Sequence, residues 1–145
     1  MKRIIAWMLS ATLLLAGCGG KQASYKDGTY EAQSEVYQSE DGSEEGNGYG
    51  VVKLTIEGGA ITDCSFVTYD ENGEQKGEDY GKEDGRIANK DYYNKAQKAN
   101  AACAEYASML VANGSLDGID AISGATINYN EFVEAVKSAL KQAQE

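Results

Sequence analysis

The sequence predicts an α+β fold, a small antiparallel sheet with helices packed on it, and three observations carry that prediction. An alternating run over Val52–Glu57 meets Gly58-Gly59 and returns through Ala60–Tyr69, the pattern of a hairpin closed by a tight primed turn. Apolar residues then recur at spacings of three and four from Asp91 to Asn113. A second stripe of the same kind runs from about Tyr129 to the C-terminus.

At the N-terminus, Lys2 and Arg3 precede an apolar run over Ile4–Leu15 and then Leu15-Ala16-Gly17-Cys18. The run is shorter than the roughly 20 residues of a spanning helix, and its charged, apolar and small-residue regions come in export order. Residues 1–17 therefore read as a signal peptide ending in a lipobox, with Cys18 as the lipidated residue, 18–24 as a tether and 25–145 as one domain. Such an anchor holds a protein to the bilayer surface without spanning it. An ordinary secreted protein with a cysteine near its start is the alternative.

The domain opens with Tyr25–Ala32, a strand introduced by an Asp27-Gly28 turn. Gln38–Gly48 is acidic, glycine-rich and without period, so an exposed loop is expected. In the hairpin, Val52, Leu54 and Ile56 face inward against Lys53, Thr55 and Glu57, and Cys64 and Phe66 share the inner face of the return strand. Asp70–Lys90 is long and polar, a length that is uncommon in compact domains unless functional or disordered. Two readings stand for it: Tyr80-Gly81 folds over a ligand, or the segment is a solvated excursion. Asp70-Glu71-Asn72-Gly73 lacks the ligand spacing of a helix-loop-helix calcium site.

Tyr92, Ala96, Ala99, Cys103, Tyr106 and Leu110 form the stripe of the first helix, with Asp91 as N-cap and Asn113-Gly114 as stop. Core packing is its expected role and a coiled-coil partner the alternative. The Asn113-Gly114-Ser115 sequon carries no meaning behind a bacterial lipobox. For the last helix Asn128 is the predicted cap and Glu131 completes a capping box, with Phe132, Val136, Ala139, Leu140 and Ala143 buried.

The net charge of −10, made more negative by loss of Lys2 and Arg3 with the leader, excludes nucleic acid as a partner, and no basic amphipathic helix is present for anionic lipid. Histidine is absent, which removes the commonest general base and metal ligand. Triad hydrolases and zinc sites are thereby excluded, and neither a catalytic residue nor a resident metal is assigned. Cys64 and Cys103 permit a disulfide without requiring one, and two buried thiols are expected. Without a Cys-x-x-Cys pair, a reactive thiol role is disfavoured.

Asp120 and the run Ser123-Gly124-Ala125-Thr126 stand just ahead of the last helix. The small residues leave the Thr126 hydroxyl sterically open, and a phosphoester there would meet backbone N–H groups and the positive end of a helix dipole. The plain alternative is a small-residue turn before a helix. Taken with Tyr25-Lys26-Asp27-Gly28-Thr29-Tyr30, the Gly-Gly hairpin and the helix starting near Tyr92, the motif resembles the single-domain FMN-binding lipoproteins of bacteria, from Tyr25 to the end. It is also similar to the flavin-bearing subunits of sodium-pumping quinone reductases, chiefly in the signature itself. Ile127-Asn128-Tyr129 follows the acceptor where many relatives carry further Ser or Thr, which touches only local packing.

The resemblance implies an FMN-binding domain type of fold and an electron-transfer flavoprotein rather than a stand-alone enzyme. A flavin transferase using FAD and magnesium would pass the FMN phosphoryl group to Thr126 and release AMP, magnesium serving only during that transfer. Ser123, Gly124 and Ala125 would form the recognition turn, Asp120 would belong to the motif, where an acidic residue beside an incoming phosphate suggests a separate hypothesis that it faces the magnesium, and Tyr80, Tyr92 or Tyr93 would cover the isoalloxazine ring. Electrons would come from a membrane quinol- or NADH-linked relay and leave to an extracellular acceptor. The location implied is the extracytoplasmic face of the bacterial cell membrane, a Gram-positive outer surface or else a periplasmic leaflet. A cofactor-free lipoprotein that binds a solute or a protein partner is the alternative.

Overall fold

The structure is a computed structural model that describes residues 25–144. The expected signal peptide, lipobox with Cys18 and tether through residue 24 fall outside the described residues. Strands β1 (Gly28–Gln33), β2 (Tyr49–Glu57) and β3 (Ala60–Tyr69) are followed by helices α1 (Lys90–Asn113) and α2 (Thr126–Gln144). The strands form a three-stranded antiparallel sheet in the order β1-β2-β3, as the alternating pattern predicts. Helix α1 lies against β3, and α2 lies against β1 and β2.

Gly58 and Gly59 both take positive φ, 62° and 77°, which a two-residue primed turn demands. The pairing jumps from Thr55↔Asp63 to Ile56↔Ile61, so Thr62 is an extra residue on β3. That bulge reverses the alternation and lets Ile61 and Phe66, which have opposite parity, both enter the core. Val52, Leu54 and Ile56 are almost fully buried beneath Tyr106, Leu110, Phe132 and Val136 from the helices. Each such side chain contributes about 1.5–3 kcal/mol by leaving water. Cys103 is buried and Cys64 half-buried, and both are free thiols.

The helix boundaries differ from the sequence reading. Asn89, not Asp91, caps α1, its side chain accepting from the Tyr92 N–H at 3.0 Å. Helix α2 begins at Thr126, so Asn128 and Glu131 lie inside it and form no capping box. Both are buried, because they fall on the same stripe as Phe132, Ala135 and Ala139. Tertiary burial overrides the local capping preference here.

The two predicted loops are also more ordered than their composition suggests. After β3 the chain doubles back, with the Asp70 N–H donating to the Glu74 carbonyl at 2.8 Å and the Lys76 N–H to the Thr68 carbonyl at 2.8 Å. On α1, Gln97 Nε2 then donates to the carbonyls of Gly77 at 3.0 Å and Tyr80 at 2.9 Å, binding the chain to the helix. Residues 71–75 and 83–90 remain exposed, while Lys76 between them is buried. The acidic loop ends in pairing between Tyr37 and Gly48, and its residues 45–47 are half-buried rather than open.

Gly48 has φ 134°, and a Cβ there would run into the backbone carbonyl of Tyr69, which cannot give way. Gly48→Ala is expected to cost at least about 2 kcal/mol. A urea midpoint equal to that of the parent would refute this account of the β2 entry.

Candidate functional site

The Asp120–Thr126 segment folds as a turn hung on α1. The Ala125 N–H donates to the Ile122 carbonyl at 2.9 Å, and Gly124 between them has φ 82°. A positive φ at the third residue is what a type II turn requires. A Cβ on Gly124 would meet nothing nearer than Lys98 Cδ at 3.9 Å, so backbone conformation rather than space selects glycine.

Tyr106, fully buried on α1, grips this turn at both ends. Its hydroxyl accepts from the Ile122 N–H at 2.8 Å and donates to the Ala125 carbonyl at 3.1 Å. Asn128 Nδ2 donates to the Ala99 carbonyl at 2.8 Å and to Cys103 Sγ at 3.3 Å, which ties the first turn of α2 to α1. The Tyr129 hydroxyl donates to the Ile119 carbonyl at 3.0 Å. Tyr106→Phe leaves the Ile122 N–H without its partner, while the Ala125 carbonyl keeps the Tyr129 N–H at 3.0 Å, and the change is expected to cost about 1–3 kcal/mol. An unshifted denaturation midpoint would show that packing alone holds the turn.

Thr126 is the first residue of α2 and is exposed. It opens onto a cleft of about 240 Å³ whose lining includes Gly46, Lys76, Tyr80, Tyr92 and Lys95. The first turn of a helix presents N–H groups with no acceptor inside the helix. With Lys95 on the lining, ion-paired to Glu45 at 3.3 Å, and the Lys98 stem across Gly124, the helix start makes this end of the cleft suit an anion, while the aromatic end suits a flat ring. These residues fit a flavin phosphate and its ring system.

The structure thus gathers Thr126, Gly124, Ala125, Tyr80 and Tyr92 on one cleft. Ser123 and Asp120 are exposed on the turn and lie outside its lining. Tyr93 is not part of the lining either: its hydroxyl donates to the Glu78 carbonyl at 3.0 Å, and the Lys82 ammonium stands 5.8 Å over its ring. It clamps the 77–81 segment onto α1. Gly81 permits that close approach, since a Cβ there would stand 3.1 Å from the Ala96 Cβ.

Two buried charged residues near the cleft were not site candidates from the sequence: Lys76 lines the cleft, and Glu131, expected only in a capping box, lies behind it. Lys76 is 5% exposed, donates from Nζ to the Gly46 carbonyl at 3.1 Å, and lies 5.0 Å over the Tyr80 ring. Glu131 is 3% exposed, and neither carboxylate oxygen has a hydrogen-bond partner. Lys76 sits in a polar segment without period, which gives no signal. Glu131 did give one, a carboxylate on the apolar stripe of α2.

Burial pushes Glu131 up to about 7, against the pull of the Lys76 ammonium. Burial lowers Lys76, opposed chiefly by Glu131. Burial, and then the neighbouring Tyr92, raise the Tyr80 phenol. Burial raises both thiols, Cys64 to about 12, which makes them poor nucleophiles. Because folded Glu131 binds its proton more tightly than the unfolded chain does, its contribution is fully present below about pH 4.5 and is lost as the pH rises to about 7. Glu131→Gln is expected to remove that slope and to stabilise the protein at pH 8 by up to about 3 kcal/mol. Parallel stability curves for the two proteins would refute the shift.

Among the described residues, no helix is long and apolar enough to cross a membrane. The crystal structure of a Clostridium perfringens protein is similar, with a TM-score of 0.58 and 22% identity over 83% of this chain and 89% of that one, a likeness of fold. A solution structure of a Clostridium thermocellum protein aligns at a TM-score of 0.43 with 23% identity, over 83% of this chain and 93% of that one. No curated protein matches the chain. The profile of the FMN-binding domain matches residues 46–141, which hold β2, β3, α1, the Thr126 turn and most of α2. The chain therefore belongs to the FMN-binding domain family, and it is a flavin-binding protein.

Proposed function

We propose that this protein is a covalently flavinylated electron carrier, with FMN joined through a phosphoester to Thr126 and held in the cleft beside it. The observation that carries the reading is the position of Thr126, exposed at the first residue of α2 and on the rim of a cleft that Tyr80 and Tyr92 also line. Bound FMN would supply the reversible uptake of electrons, which no side chain here provides. The chain's own residues do the rest. Tyr106 and Gly124 present the acceptor hydroxyl, the start of α2 with Lys95 and Lys98 offsets phosphate charge, and Tyr80 and Tyr92 exclude water from the ring.

Attachment needs a flavin transferase as partner. The Thr126 hydroxyl oxygen bonds to the FMN-side phosphorus of FAD, the pyrophosphate bond breaks, AMP leaves and the hydroxyl proton passes to solvent. Asp120, exposed and six residues before the acceptor, is free to face the magnesium of the transferase. The leader and Cys18 place the domain, in this reading, on a lipid anchor at the extracytoplasmic face of the membrane, with residues 25–145 as the single flavin domain. A covalent link keeps a cofactor that would otherwise diffuse away there. Electrons would arrive from a membrane quinol- or NADH-linked relay and leave to an extracellular acceptor.

Co-expression of residues 19–145 with a flavin transferase is expected to give flavin fluorescence that survives a denaturing gel, is absent in Thr126→Ala and is reduced in Asp120→Ala. Lack of bound flavin beside an active transferase control would overturn the covalent reading and favour a cofactor-free lipoprotein that takes a solute or a protein partner into the cleft.

A further inference from the structure

Glu131 stands between two clefts. The cleft in front of Thr126 is walled by Lys76, Thr68 and Tyr80, while Glu131 itself lines a second, polar cleft with Glu35, Asn130 and Glu134. Ile127 and Glu45 line both, so they form the partition. Its buried side chain has neither an ion pair nor a hydrogen bond, although such a carboxylate normally acquires one or the other. Gly50 explains how it fits, since a Cβ there would stand 2.5 Å from the Phe66 ring and 3.1 Å from Glu131 Cβ. The sheet is bare of side chain at the place where the glutamate packs over it.

We propose that Glu131 is a proton-uptake site coupled to reduction of the flavin, acting through the Lys76 ammonium and exchanging its proton with solvent through the second cleft. The proposal rests on the reading of the first cleft as the flavin site. Lys76 belongs to the wall of that cleft and is the principal cation acting on Glu131. When electrons enter the flavin from a low-potential donor, negative charge gathers in the cleft and competes with Glu131 for the Lys76 ammonium. The carboxylate then binds one proton from bulk water at a carboxyl oxygen, and releases it to water when the electrons leave to the acceptor. Electrons and proton thus move on opposite sides of the partition.

The groups facing Glu131 agree with this assignment. Cys103 on α1 and Tyr80 on the folded-back segment are neutral neighbours with raised pKa values, and Glu134 is a carboxylate on the same helix that favours the protonated form. Glu35, at the end of β1, lines the second cleft, and its backbone N–H donates to Glu134 Oε2 at 3.1 Å. Asp70 and Glu71 act on Lys76 rather than on Glu131. Among these groups Lys76 is the sole cation, so a change in its field is felt directly.

The test follows the Glu131 carboxyl by carbon-13 NMR, assigned with Glu131→Gln, in the flavin-free domain and in the flavinylated domain before and after reduction with dithionite. The flavin-free carboxyl is expected to titrate near pH 7. At pH 8 the carboxyl of the loaded protein is expected to move to the protonated position on reduction, and the midpoint potential to depend less on pH in Glu131→Gln than in the parent. A carboxyl that titrates in the ordinary range in the flavin-free domain, or one that does not move on reduction of the loaded domain, would overturn the proposal. Failure to load flavin shows on the denaturing gel as a separate result, and it removes the reading of the cleft together with this proposal.

Discussion

The hydroxyl of one buried tyrosine decides where the start of α2 sits. Tyr106 has no exposure and rests against Phe132 and Tyr129, with ring centroids 5.6 and 5.7 Å away. Its ring is therefore fixed by the core, and its hydroxyl has both of its bonds made by the turn, one to the Ile122 N–H and one from itself to the Ala125 carbonyl. Because the Tyr106 side chain has no exposure, these two bonds cannot be exchanged for others at no cost. The geometry of the Ser-Gly-Ala-Thr turn is thus set from α1, across a separation of many residues, and Thr126 inherits its position from a residue outside the motif. Asn128 adds a second tie of the same kind, between the first turn of α2 and the Ala99 carbonyl.

The remainder of the site is arranged around that fixed end. Helix α1 supplies Tyr92 and Lys95 to the cleft and, with Gln97, binds the segment that carries Tyr80 and Lys76. Gly46 brings the acidic loop against Ile127, where a Cβ would stand 2.6 Å from Cδ1. Close approaches of backbone to side chain are permitted at Gly46, Gly50 and Gly81 alone of the cleft's surroundings, and each narrows the space around the rings or the buried carboxylate. The buried Glu131 destabilises its neighbourhood at neutral pH, and the surrounding core compensates for it. A buried carboxylate carried under such a penalty, lining a cleft, is better explained by chemistry than by folding.

Much of this was legible in the chain. The period-two run, the Gly-Gly turn and the stripes of α1 and α2 gave the sheet and both helices, because each rests on a local pattern that one face of the core rewards. Thr126, Gly124 and Ala125 were legible as a motif, and Tyr80 and Tyr92 as aromatic candidates. Tyr93 was assigned with them and instead clamps the 77–81 segment, since its hydroxyl reaches the Glu78 carbonyl. The N-terminal caps differ from the sequence reading at both helices, while Gly114 ends α1 as its Asn113-Gly114 stop predicts. Asn128 and Glu131 have the side chains of a capping box, and local chemistry cannot reveal that the core claims them, on the inward stripe of a helix that starts earlier.

By itself, the sequence determined the α+β class, the hairpin and its turn, the apolar faces of both helices, the absence of histidine chemistry and the small-residue motif that ends at Thr126. These are carried by residue type and spacing over short distances. Only the tertiary structure decided that Tyr106 orients the Thr126 turn, that Lys76 folds inward from a polar segment, and that Glu131 lies buried without a hydrogen-bond partner beside the second cleft. Each of those depends on groups far apart in the chain, whose bonds and burial exist only once the helices have closed over the sheet.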